Sequence, residues 1–150
     1  MDNHQTIQLI HELGSQIGLP DLELDEDGAC YLTFDDVLLC LQADEDFSHL
    51  TVYAPIVDLP AEGRETVLLE LLGANFFWKG SAGATFAYST GAEKVILQIR
   101  LALPSLTLPD LASALESFVN QCEHWTKHFQ HHVVEEPRHE PSDFLMRTLV

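Results

Sequence analysis

Apolar side chains recur at helical spacing over residues 6–17 and predict an amphipathic helix near the start of the chain. Gly18 and Pro20 follow, which is typical of a helix end. The pattern then changes to the two-residue alternation of β-strands in three segments between residues 29 and 57. Short acidic turns separate these segments, so the sequence predicts a three-stranded antiparallel meander.

The second half of the chain alternates between helical and strand patterns again. A second helix is predicted to begin near Leu59, and its apolar residues cover more than one face. In a small domain such a helix indicates contact with a partner subunit. Two further strands are predicted over residues 84–89 and 94–103. A third helix is predicted to begin at a capping-box-like Thr107 and to continue to about residue 130.

The predicted order is helix, three strands, helix, two strands, helix. This order indicates an α+β fold with a twisted antiparallel sheet packed against helices. We expect one domain over residues 1–130 and a flexible C-terminal tail over residues 131–150, where the regular pattern stops. The tail contains an apolar cluster that either stays free or docks on a partner-binding surface: Phe144, Leu145, Met146, Leu149 and Val150.

Composition and charge disfavour binding to nucleic acid and membranes and are compatible with binding to a polypeptide. The chain has 150 residues, 46% hydrophobic content and a net charge of −17, which suits one globular domain. Residues 1–63 hold fourteen acidic groups and no Lys or Arg, which gives −14, and residues 64–150 contribute the remaining −3. Such a surface repels nucleic acid and disfavours anionic membranes, whereas a basic or neutral polypeptide partner is compatible with it. The first residues lack a basic signal-peptide region, and no apolar run reaches the length of a membrane span.

Motifs for catalysis or cofactors are weak. The segment Asp25–Gly28 resembles a calcium loop, but its glycine stands at the fourth position rather than the sixth. The glycine-containing segment 80–85 lacks the lysine of a phosphate-binding loop. Three cysteines are too few for a disulfide framework and favour a reducing cytosol. We therefore expect a binding module with no cofactor, and not an enzyme.

Three histidines near the end of the third helix are a weak candidate for a metal site. His124, His128 and His131 share one helix face, and histidines at this spacing can bind zinc or nickel. No second ligand cluster is visible in the sequence. A solvent-exposed polar helix end is the favoured interpretation.

Six segments, taken in order, resemble the class I type III secretion chaperones, which are the CesT/SycE-type Tir chaperone family. The resemblance spans residues 6 to about 129 and rests on Ile17–Gly28, Leu32–Asp36, Leu50–Ile56, Leu71–Trp78, Gly83–Tyr88 and Leu115–Trp125. It implies a small acidic homodimer in the cytoplasm of a Gram-negative bacterium. Such a protein binds the N-terminal chaperone-binding region of one or more secreted effectors, without ATP. It keeps that region extended and aids delivery to the secretion apparatus.

The resemblance leaves a second function open on the same scaffold. A regulatory antagonist would sequester a secretion regulator and so couple secretion to transcription. The expected partners are therefore a secreted effector or a regulator, a second copy of the chain and, as a further candidate, the secretion ATPase.

The resemblance also implies two kinds of surface. In the family, the second helix and the neighbouring fourth strand tend to form the dimer interface, and apolar patches on the first helix and the sheet receive effector segments, partly by strand addition. On this chain the interface falls on Val67, Leu68, Leu71, Leu72, Phe76, Phe77 and Trp78. The partner-binding candidates, of which roughly half are expected to be core, are Leu9, Leu13, Leu22, Leu24, Leu32, Phe34, Leu39 and Leu50.

Overall fold

A computed structural model describes residues 3–132, and the side chains of residues 3–130. The elements follow the predicted order: α1 Asn3–Gln16, β1 Ala29–Phe34, β2 Val37–Ala43, β3 His49–Asp58, α2 Arg64–Asn75, a 3₁₀ turn Phe76–Trp78, β4 Thr85–Ser89, β5 Lys94–Ala102 and α3 Leu108–His132. This arrangement confirms the α+β fold. The predicted apolar cluster of the tail lies outside the described residues.

The five strands form one antiparallel sheet in the order β1-β2-β3-β5-β4. Phe34 pairs with Val37 across a two-residue turn, in which Asp35 and Asp36 have φ values of 49° and 68°. Positive φ at both central residues matches the twist of a hairpin, and aspartate tolerates that conformation better than most residues. The acidic turn therefore fixes the register of the first hairpin.

One face of the sheet carries the main core, which α1 and α3 cover. The apolar residues that recur at helical spacing along the third helix all point into this core: Leu111, Leu115, Phe118, Cys122, Trp125 and Phe129. The opposite face holds a smaller cluster built on Cys40, Ala92 and Ile96. The burial of Ile96 in this second cluster shows that both sides of β5 are partly covered.

The helix starts agree with the sequence at α3 and differ at α2. The backbone N–H of Asp110 donates to Thr107 Oγ1 over 3.3 Å, so the predicted cap is confirmed. The second helix was predicted to begin near Leu59, but it begins at Arg64. Gly63 precedes it with a φ of 75°, a left-handed conformation that no helix residue adopts. None of the helices within residues 3–132 is both long and apolar enough to cross a membrane.

Candidate functional site

Of the nine large apolar side chains that are exposed among residues 3–130, six lie on α2 and the 3₁₀ turn that follows it. We call this area the α2 surface; its residues are Leu68, Leu69, Leu72, Phe76, Phe77 and Trp78. Leu69, Leu72, Phe76 and Phe77 each remain between 63% and 70% exposed. Contiguous apolar patches of this kind mark interaction surfaces in soluble proteins.

The aromatic part of the α2 surface is held by specific contacts. Trp78 Nε1 donates to Thr85 Oγ1 of β4 over 3.1 Å. The rings of Phe76 and Phe77 meet edge to face, with centroids 4.6 Å apart. Phe77 and Trp78 have φ values of 53° and 55°, which bulky side chains rarely adopt. Strained backbone of this kind persists only where surrounding contacts enforce it, so the three rings are presented to solvent in a defined arrangement.

The loop that follows these aromatic residues and includes Gly80 packs against α3 and α2. Trp125 Nε1 of α3 donates to the carbonyl oxygen of Gly80 over 3.1 Å. A Cβ at Gly80 would stand 2.9 Å from Ala74, so a larger residue has no room there. His128 of α3 hydrogen-bonds Glu70 of α2 through its Nε2 atom. These contacts fix α2 and its loop against α3.

The structure divides the predicted interface residues between the α2 surface and the core. Leu68, Leu72 and the three aromatic residues are exposed, and Val67 is half-buried. Leu71 is only 5% exposed and packs in the core, so its assignment to the surface is corrected. Leu69 and Tyr88 of β4 are also exposed, although neither is among the predicted interface residues. The run of leucines hides the helical period that would have separated Leu69 from Leu71.

The free edge of β1 is a second candidate site. Residues that pair with β2 alternate with residues whose backbone N–H and C=O groups point outward. The two-residue turn makes Phe34 a hydrogen-bonded partner of Val37, so Tyr31 and Thr33 present their backbone groups to the free edge. Within residues 3–132, no hydrogen bond occupies these outward groups. An unpaired edge is a template for another strand.

The segment before β1 closes only the first residue of that edge. The backbone N–H of Asp25 donates to the carbonyl oxygen of Ala29 over 2.7 Å, and Asp25 Oδ1 accepts from the N–H of Ala29 over 2.9 Å. The same Oδ1 atom accepts from the N–H of Asp27. Asp25 therefore ends the open edge at Ala29.

The opposite edge, β4, is partly closed by hydrogen bonds from neighbouring residues. Asn75 accepts from the N–H of Phe86 over 2.8 Å and donates to its carbonyl oxygen over 3.2 Å, as a paired strand residue would. Ser81 satisfies both backbone groups of Ala84, which precedes β4. Among the described residues, nothing bonds the outward backbone groups of Tyr88, the next outward residue of the strand. An incoming strand therefore finds more free backbone groups on β1 than on β4.

The predicted partner-binding residues are mostly core. Six of them are buried: Leu9, Leu13, Leu22, Leu32, Leu39 and Leu50. Burial removes these six from the surface of the folded domain. Leu24 and Phe34 are half-buried and pack at the rim of the core; Phe34 is the last residue of β1, and Leu24 precedes Asp25, which ends its open edge. Only these two side chains stay available for direct contact with a partner.

The other candidate chemistries find no support among the described residues. No group of three His, Cys, Asp or Glu side chains within residues 3–130 is arranged to hold a metal ion. His128 contacts Glu70 instead, and the side chain of His131 lies outside the described part. Burial raises the pKa of the Cys30, Cys40 and Cys122 thiols to about 12, so none of them is a reactive thiolate.

A family model and several known proteins match this chain. The model of the Tir chaperone protein (CesT) family matches residues 8–126. The Tir chaperone of Citrobacter freundii is 23% identical over 115 residues, which cover 77% of this chain and 73% of that protein. The transcriptional anti-antiactivator ExsC of Pseudomonas aeruginosa is 28% identical over 123 residues, which cover 80% of this chain and 82% of that protein.

Solved structures share the fold. A chain of the ExsC–ExsE complex superposes with a TM-score of 0.74 and 27% identity, covering 85% of this chain and 96% of that chain. A chain of the HopA1–SchA chaperone–effector complex superposes with a TM-score of 0.69 and 15% identity, covering 85% of this chain and 98% of that chain. The likeness to this second complex shows the common fold.

Proposed function

This chain belongs to the Tir chaperone protein (CesT) family of type III secretion chaperones, and we propose that it acts in the cytosol on one or more secreted effectors. It binds the N-terminal chaperone-binding region of the effector, keeps that region extended and aids its delivery to the secretion apparatus. We call the bound effector segment the client. The chain works by binding alone and carries out no catalysis.

The open edge of β1 is the observation that carries this proposal. An extended segment gains main-chain hydrogen bonds from the outward groups of Tyr31 and Thr33, and its alternate side chains reach the rim of the core at Leu24 and Phe34. Asn75 occupies the outward groups of Phe86, which favours strand addition at β1 over β4. A sheet with one open edge and one partly blocked edge suits a protein that accepts a strand from a partner without polymerising.

The α2 surface is the proposed interface of a homodimer. Two chains carry a combined charge of −34, twice the −17 of one chain, and this repulsion opposes association. The interface must therefore be apolar, as the exposed leucines and aromatic rings of the α2 surface are. Rigid aromatic residues are also typical of interface hot spots.

A regulatory antagonist is the second candidate function. It is favoured by the likeness to the anti-antiactivator ExsC, which covers 80% of this chain, and to the ExsC–ExsE complex. In that case the client is a secretion regulator, whose capture changes transcription. The same β1 edge serves both functions, so the identity of the client separates them.

Purification of the native complex, followed by mass spectrometry of the co-purified chain and of its cross-linked segment, tests the proposal. The expected result is an exported protein bound through its N-terminal region; a non-exported transcription regulator supports the alternative.

Thr33→Pro tests the site itself, because it removes an outward N–H without breaking the pairing with β2. We expect at least about a tenfold loss of client affinity. Thr33→Val is the matched control, since it keeps the N–H group and the strand. Equal client affinity of the two variants would exclude the β1 edge.

A further inference from the structure

We infer that the client segment paired with β1 carries basic residues on both sides of its paired stretch. This inference rests on the proposed function, because it describes the partner of the same edge. It follows from the charges at the two ends of the strand and from the limited length of the open edge.

Acidic turns flank the open edge at both ends. Asp25, Glu26 and Asp27 precede β1, and Asp35 and Asp36 follow it. All five residues are exposed. The six residues of β1 rise about 3.3 Å each, so the two turns stand about 20 Å apart.

The nearest part of the chain offers these carboxylates no cation. Residues 1–63 contain no Lys or Arg. Of the basic residues in the sheet, Lys94 pairs with Asp58, and Arg100 lies 3.7 Å from Asp44 in the turn between β2 and β3. Within residues 3–130, no ion pair involves the carboxylates of Asp27, Asp35 or Asp36. Both ends of the edge therefore present uncompensated negative charge to an incoming segment.

The short open edge places the flanks of the client at these turns. Asp25 closes the edge at Ala29, so pairing is confined to Tyr31, Thr33 and the residues between and beside them. Client residues opposite Leu32 share its face and meet the apolar rim. The next residues outward pass the acidic turns, so basic side chains about six to eight positions apart reach both turns. Since both ends are acidic, charge favours the segment without selecting its direction along β1.

Synthetic peptides and the full chain provide the test. One peptide has a central tract of alternating Val and Thr with two lysines on each side; a second has glutamines in place of the lysines. A third keeps the lysines around a central tract of Gly and Ser. Fluorescence anisotropy should show the lysine-flanked Val-Thr peptide binding about tenfold more tightly than the glutamine-flanked one at low salt, because each exposed charge pair contributes a few-fold. High salt should reduce this advantage.

Charge-neutral variants locate the effect. Asp35→Asn combined with Asp36→Asn keeps residues that tolerate positive φ. This pair of substitutions should reduce the affinity for the lysine-flanked peptide about threefold and leave the affinity for the glutamine-flanked peptide unchanged. Glu62→Gln combined with Glu116→Gln removes the same charge at exposed positions away from the edge and should change neither affinity.

The outcomes separate this inference from the proposed function. If both Val-Thr peptides bind equally well, the basic flanks are refuted and the edge site stands. If the control variant weakens the lysine-flanked peptide as much as the Asp35/Asp36 variant does, overall charge is responsible and the inference is refuted. If the Gly-Ser peptide binds as tightly as the lysine-flanked Val-Thr peptide, the strand is not needed. If no Val-Thr peptide binds, the edge site and the inference both fail.

Discussion

Replacement of Leu72 by Asp is the most direct perturbation of the proposed dimer. Leu72 is 65% exposed on the α2 surface. Full burial of a leucine side chain is worth about 2 kcal/mol relative to exposure, so covering the part still exposed is worth about 1.3 kcal/mol. A twofold interface uses the residue twice, which gives about 2.6 kcal/mol, or about a 70-fold increase in the dimer Kd at 1.4 kcal/mol per factor of ten. Desolvation of the new carboxylate adds to this loss.

Sedimentation equilibrium over a range of protein concentrations measures this change. The wild-type chain should sediment as a dimer, and Leu72→Asp should sediment as a monomer at the same concentration. Ile7→Asp is the matched control, because Ile7 is 48% exposed on α1 and lies outside the α2 surface. Circular dichroism checks that each variant is folded. An unchanged dimer for both Leu68→Asp and Leu72→Asp would refute the interface.

Three further properties are predicted. The acidic first half of the chain should speed association with a basic client, so stopped-flow should show salt lowering the on-rate more than it raises the off-rate; a salt-independent on-rate would limit the acidity to solubility. The backbone N–H of His49 and the Ser48 hydroxyl lower the pKa of the Asp44 carboxyl to about 2. The pKa of Asp44 is lower in the folded chain than in the unfolded chain. Ionised Asp44 therefore stabilises the fold above about pH 4, and this stabilisation is lost as the pH falls towards 2. Asp44→Asn should therefore lower the Tm at pH 7, and the difference should narrow below pH 4; a constant difference would contradict this. Since burial raises the pKa of Cys30, Cys40 and Cys122 to about 12, a thiol reagent at pH 8 should modify none of them until denaturant unfolds the chain, and rapid native labelling would contradict their burial.

Local sequence patterns predict the helices and strands of this fold well where one face of the element is buried and the other is exposed to solvent. The third helix shows this, because its apolar residues at positions such as Leu111 and Phe118 repeat with the helical period and all lie in the core. The strands of the first meander are equally clear, since acidic turns delimit them and one of these turns has the positive φ values of a tight hairpin.

The candidate sites are harder to predict, because they depend on strand order and on contacts between distant residues. Leu39 and Leu50 lie on the face of β2 and β3 that the helices cover, and both residues are fully buried in the main core. The two hydrogen bonds between Asn75 and Phe86, which partly close β4, join residues eleven positions apart, and no local sequence motif predicts them. On α2, consecutive leucines fit several orientations, and only the packed helix shows that Leu71 faces inward.

The two proposed surfaces lie at opposite edges of the sheet, at β1 and next to β4, and can be occupied together. β1 and β4 are the two edge strands, and three strands separate them. At about 4.8 Å per strand spacing, the edges are about 19 Å apart. The α2 surface is tied to β4 through the bond from Trp78 to Thr85, so a second copy bound there leaves the outward groups of Tyr31 and Thr33 free. A dimer built this way presents two open edges, and an extended client long enough to reach both gains the effective concentration of a bivalent ligand. Because Asn75 occupies the backbone groups of Phe86, β4 has fewer free groups than β1, and we expect a client strand to add at β1 rather than compete with a second copy near β4.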